Sequence, residues 1–196
     1  MKILSQALTA TAMAVCLVIP ATSMAAGSQV TAGVNSASGK VYVNSTLYTL
    51  SGNKAHISAE MAINDKLGFM LSSSSALDAA NTKVEFMDFG VRYRLGEDTS
   101  TYFSSNRTKV GSNSETLMML GAMHHISTGE ASSLALKIGT STTNMFDDLE
   151  VGFDFNVGLM DALVLNIGYQ STTTTLAKTS TKATSSGFNV SIGAQF

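Results

Sequence analysis

Three features of the sequence predict an all-β chain folded as an antiparallel, up-and-down transmembrane β-barrel. Apolar and polar residues alternate with a period of two in one segment after another. Short turns rich in Gly, Asn and Asp alternate with longer connections rich in Ser and Thr. Charge is sparse, at 13% of residues, yet no second apolar run of the roughly 18 residues needed for a membrane helix follows the N-terminal segment.

The 196 residues suit one domain. Twelve basic against 14 acidic residues give a net charge of −2, which excludes the basic footprint of a nucleic-acid binder. A hydrophobic content of 44% is too low for a bundle of membrane helices. One proline, no tryptophan and many hydroxyl or β-branched residues favour strands.

Residues 1–25 read as a secretory signal peptide. Lys2 supplies the positive charge, Ala7 to Pro20 the apolar run, and Ser23-Met24-Ala25 a small-x-small cleavage site. Residues 26–196 then form the barrel. The lone cysteine, Cys16, lies in the leader and follows Val15 rather than a small residue, so it is not a lipoprotein site. The remainder has no thiol for a disulfide, a nucleophile or a metal.

The strands follow in order. Ala55, Ile57, Ala59, Met61 and Ile63 alternate with His56, Ser58 and Glu60, and Met87, Phe89, Val91 and Tyr93 with Asp88, Arg92 and Arg94. Leu134, Leu136 and Ile138 flank Lys137, and Leu149, Val151, Phe153 and Phe155 flank Glu150 and Asp154. Leu163 to Gln170 and Phe188 to Phe196 complete the series. Most can reach the roughly nine to eleven residues of a tilted membrane strand. Asn64-Asp65-Lys66, Gly96-Glu97-Asp98, Thr128-Gly129-Glu130 and Gly158 to Ala162 are the short turns. Longer connections are expected near residues 37–53, 74–82, 107–114, 140–145 and 171–186, the last a low-complexity surface loop. The count is ten strands, with eight as the alternative. Lys40 to Leu50 is its weakest part and reads equally well as an extended hairpin rim.

The polar faces place Glu60, Asp88, Arg92, Arg94, Lys137, Glu150 and Asp154 in the lumen, with His56. A small barrel has a narrow interior filled by side chains. Two readings stay open: a salt-bridged plug, because unpaired buried charges are costly, or a narrow ion pathway made selective by those charges.

The last strand, Phe188-x-Val190-x-Ile192-x-Ala194-x-Phe196, ends on an aromatic. It resembles the C-terminal signature of Gram-negative outer-membrane β-barrel proteins, and the chain resembles their small OmpA, OmpX and opacity type. The resemblance implies location in the outer membrane, with lipid and lipopolysaccharide around a monomeric barrel. It implies that periplasmic chaperones and the barrel-assembly machinery handle the chain, with Phe188, Val190, Ile192 and Phe196 as the assembly signal. It also implies that the short turns face the periplasm.

The function expected is structural, or surface binding and adhesion through the extracellular connections. The alternative is a narrow, low-conductance pore for ions or small solutes. A distant third is a lipid-modifying hydrolase, because His125 and Ser127 share a strand face and outer-membrane deacylases resemble this in carrying a His-x-Ser pair. No orienting acid stands at a fixed spacing, so no catalytic residue is assigned. No cofactor or metal is expected: adjacent His124 and His125 point apart, and Asp147-Asp148-x-Glu150 reads as a solvated edge rather than a cation site.

Overall fold

The computed structural model describes residues 28–78, 80–143, 148–160, 162–176 and 181–196. The segment expected to be a leader, with its expected cleavage site, and Asp147 lie outside the described residues. The described chain is all-β, in eleven strand segments: β1 (Gln29–Val43), β2 (Thr46–Ser51), β3 (Asn53–Ala62), β4 (Leu67–Asp78), β5 (Lys83–Arg94), β6 (Thr99–Val110), β7 (Asn113–Gly129), β8 (Ser132–Ser141), β9 (Leu149–Met160), β10 (Leu163–Leu176) and β11 (Thr181–Gln195).

Ten of these form a closed ring. Each strand from β3 to β11 pairs antiparallel with its successor, and β1 joins β11 to β3. The closing ladder runs from Gln29↔Gln195 to Gly39↔Ser185. Closure satisfies the backbone hydrogen bonds without a free edge, the condition for a sheet to cross lipid.

Segment β2 is the outer arm of a hairpin with the last third of β1, paired from Gly39↔Leu50 to Val43↔Thr46. Its turn residues Asn44 and Ser45 both have positive φ (50° and 63°), as a two-residue type I′ turn requires. The hairpin leaves the ring at two glycines. Gly39 (φ 105°) is the last partner of β11, and Gly52 (φ 104°) separates β2 from β3. Lys40 to Leu50 is thus the hairpin rim, and the ring of ten holds without it.

The short turns gather at one end. Asn64 shapes the first: its Oδ1 accepts the Lys66 and Leu67 amides at 2.9 and 2.8 Å. The other, taller end differs from the sequence expectation. Much of the supposed long connections is strand; Ser171 to Leu176 pairs residue for residue with Ser186 to Thr181. Threonine is a good strand former, so a Thr-rich run that looks like low-complexity loop extends the wall instead.

The polarity of the wall shows where lipid ends. Around the ring, Ile57, Leu71, Phe89, Phe103, Leu120, Ile138, Val151, Val190 and Ile192 point outward, 37–57% exposed. Phe69 stacks on Phe89 at 5.9 Å and Phe153 on Tyr169 at 6.0 Å. The inward side chains of the same strands include the charged and amide groups, with an apolar patch of Met119, Met123 and Ala135 beside Tyr102, and the outer face is that of a transmembrane barrel. Toward the tall end of β5 and β6 the pattern inverts. Lys83, Glu85 and Lys109 face out and form ion pairs (2.6 and 3.6 Å), while Val84 and Val110 face in and are buried. The hydrogen bond from Lys83 holds the Glu85 carboxyl below its ordinary range. The apolar belt therefore ends between Glu85 and Met87, and the wall rises beyond it as a water-soluble sheet with an apolar inside.

Candidate functional site

Two clusters of charge line opposite arcs of the lumen. On the first, Arg92 of β5 reaches across β4 to form an ion pair with Glu60 of β3. On the second, Lys137 of β8 pairs with Glu150 of β9 at 2.5 Å. Glu150 is fully buried and also accepts hydrogen bonds from Gln170 (2.7 Å) and the Tyr102 hydroxyl (3.1 Å). The Lys137 ammonium lies 4.6 Å from the centre of the Tyr102 ring, a cation–π contact. Tyr102 finds room because Gly121 and Gly139 stand beneath it; a Cβ on either would collide with its hydroxyl end.

Asp154 takes a hydrogen bond from Asn166 (3.4 Å), which also donates to Asn156 (3.0 Å). The structure thus places Glu60, Asp88, Arg92, Lys137, Glu150 and Asp154 in the lumen. Arg94 has the same facing parity as Arg92 and lies exposed at the turn end, within electrostatic reach of Glu60 and His125.

These pairs do not fill the interior. A cavity of about 220 Å³ occupies the tall half, lined by Asn35, Phe86, Asn106, Leu117, Thr172 and Thr174 among others. A second, of about 180 Å³, occupies the turn half, lined by Gln29, Glu60, His125, Lys137, Asp154 and Asn166. Five residues line both: His56, Ser72, Asp88, Gln170 and Asn189. They form a neck between two chambers. Nδ1 of His56 and the Oδ1 atoms of Asp88 and Asn189 are buried there without a hydrogen-bond partner among the described residues. Such atoms belong to water or to a passing solute.

The β1–β2 hairpin lies across the tall chamber. Its tip reaches β7, five strands away around the ring and so on its far side, where the Asn44 amide donates to Glu115 Oε2 at 2.9 Å. Ala37, Val41, Val43 and Leu50 pack with Val84 and Val110 in one apolar cluster, joined by Tyr48 and Phe86. The cap has a small hydrophobic core of its own above the lipid belt.

This full-length ring, apolar outside and polar inside, matches the translocator domain of the autotransporter NalP from Neisseria meningitidis. The TM-score is 0.51 at 11% identity, over 100% of this chain and 95% of that one. The fold is that of the small bacterial outer-membrane β-barrels. Neisserial surface protein A aligns with a TM-score of 0.45 at 13% identity, covering 87% of this chain and 98% of that chain. The attachment invasion locus protein of Yersinia pestis aligns at 0.41 and 13%, covering 88% and 100%. No protein-family model matches the sequence, and no curated protein matches it.

The remaining candidates are dispersed. His125 faces the lumen, while Ser127 Oγ, at the turn end, donates to the Gly129 carbonyl at 3.3 Å. A lumenal imidazole is screened from bilayer lipid by the wall. His124 points outward against Thr99 Oγ1 at 3.1 Å. Asp148 accepts from Ser141 (2.7 Å) and the Thr175 amide (2.6 Å), bracing the rim. Among the described residues no group of three or more His, Cys, Asp or Glu could hold a metal ion. Phe188, Val190 and Ile192 face outward, and the Phe196 amide donates to the Ser28 carbonyl at 2.9 Å.

Sequence reasoning missed Tyr102 and the amides Asn35, Asn166, Gln170 and Asn189. Tyr102 had a signal: of the adjacent Tyr102 and Phe103, the one with the polar tip belongs on the inward parity.

Proposed function

We propose that the chain is a narrow polar pore of the Gram-negative outer membrane, passing ions or small hydrophilic solutes and covered on its outer side by the β1–β2 hairpin. The observation that carries this is the pair of lumenal chambers joined at a neck of polar atoms without protein partners. A plug would place its charges in one central network. Here two cavities remain beside the ion pairs. The short turns would face the periplasm, and the tall end the outside.

The test is single-channel recording of the refolded protein in planar bilayers, with insertion verified separately by protection from protease. Small discrete conductance steps are expected. Silence from demonstrably inserted protein would overturn the pore reading.

A second reading, display of a binding surface, is favoured by the wall that continues above the apolar belt with Lys83, Lys109 and Lys182 outside. If display is the function, replacing these lysines abolishes cell-surface binding and leaves conductance unchanged. In either case lipid and lipopolysaccharide surround the belt, and the strand ending in Phe196 is what the assembly machinery would read.

A further inference from the structure

The charges around the neck do not cancel. Arg92 and Glu60 neutralise each other on one arc. On the other, Lys137 is the single cation among three carboxylates: it is bound to Glu150, and Asp88 and Asp154 also lie within its electrostatic reach. The two pairs sum to zero and leave two carboxylates over. Asp154 is set back in the turn-side chamber and hydrogen-bonded by Asn166. Asp88 stands at the neck itself and lines both chambers. Its Oδ1 is buried without a partner among the described residues.

The other neck residues, His56, Ser72, Gln170 and Asn189, bring no second fixed cation. In the tall chamber Arg107 is held by Ser114, and Glu115 is the acceptor for the hairpin tip. A solute crossing the neck therefore meets an oxygen-rich constriction carrying the Asp88 carboxylate, in low-dielectric surroundings that strengthen the field of its ionised form.

We propose that the pore selects small cations over anions, and that Asp88 at the neck is the residue that determines this. The inference rests on the pore reading. Partly dehydrated cations find oxygen ligands at Asp88, Asn189 and Gln170, while anions meet a carboxylate at the neck with no fixed cation among the neck residues to offset it.

The experiment is the reversal potential of inserted protein across a KCl gradient, for the unmodified chain, Asp88→Asn and Asp88→Lys. A potassium-to-chloride permeability ratio above one is expected. It falls toward one in Asp88→Asn and inverts in Asp88→Lys, with single-channel steps retained. Should Asp88→Asn fail to fold, Asp154→Asn serves as the second variant, with a smaller loss of preference expected because it lies off the neck. Channels that show no cation preference, or a preference unchanged by Asp88→Asn, would overturn this inference and leave the pore intact. Absence of any conductance from inserted protein would overturn the pore reading and the inference with it.

Discussion

Lys137 and Glu150, on neighbouring strands, bring ammonium and carboxylate to 2.5 Å inside the lumen, and the same carboxylate is the acceptor for Tyr102 and Gln170. Glu150 thus holds three partners in the interior. Removing its cation leaves a buried carboxylate with only neutral donors. Lys137→Met is expected to destabilise the barrel by about 3–5 kcal/mol, read from urea unfolding in lipid vesicles. Adding Glu150→Gln should restore part of the loss. A cost under about 1 kcal/mol, typical of an exposed pair, would mean that the two charges are hydrated and mobile.

Phe89 sits in the middle of the outward series Met87, Phe89, Val91 and Tyr93, and is 53% exposed. Exposure of a stacked aromatic makes sense only against lipid. Phe89→Arg is expected to cost about 2–4 kcal/mol of folding free energy in a bilayer. Glu85→Arg, on the same face above the belt, should cost much less. Equal costs would mean that the boundary is misplaced.

Val43, in the last pair of the hairpin, is fully buried in the apolar cluster that joins the cap to the ring. Val43→Asp places an unpaired charge in that small core. The cap should open while the ring stays closed. Limited proteolysis is expected to cut within residues 40–50 and leave the remaining chain protected, and single-channel steps should lengthen. An unchanged cleavage pattern would show that the apolar cluster does not hold the hairpin.

Much of the barrel was legible in the sequence because the lipid belt imposes a strict period of two. The run from Met87 to Tyr93 gives strand, face and polarity at once. The turn at Asn64 was legible from its side-chain chemistry. Other parts were hidden for physical reasons. Above the belt the wall faces water, so Lys83 to Phe86 keeps the same alternation with inside and outside exchanged, and a search for outward apolar residues passes over it. Ser171 to Leu176 is built of residues equally at home in loops and in exposed strands. For Arg94 parity gives the direction, but the height of the wall decides how deep the side chain lies. The neck was beyond reach, since it joins His56, Asp88, Gln170 and Asn189 from four strands whose relative heights depend on the register of the closed ring.

Phe196 follows the last strand, with its backbone tied to Ser28. If the alternating strand that it terminates is the assembly signal, deleting Phe196 should lower the yield of inserted protein in cells without changing its unfolding in vitro. Undiminished insertion would remove that role.

The central claim is that one strand faces lipid and a polar lumen alternately, and then exchanges polarity above the membrane. Residues 26–196 contain no cysteine, so single cysteines at positions 83 to 90 carry a fluorophore without background. Protein in vesicles would be read with a lipid-borne nitroxide quencher and with aqueous iodide. Labels at Met87 and Phe89 should be quenched by the nitroxide, and at Asp88 by iodide alone. Labels at Lys83 and Glu85 should respond to iodide, and at the fully buried Val84 to neither. Equal quenching of Asp88 and Phe89 by lipid, or lipid alternation continuing through Lys83 to Phe86, would contradict the account.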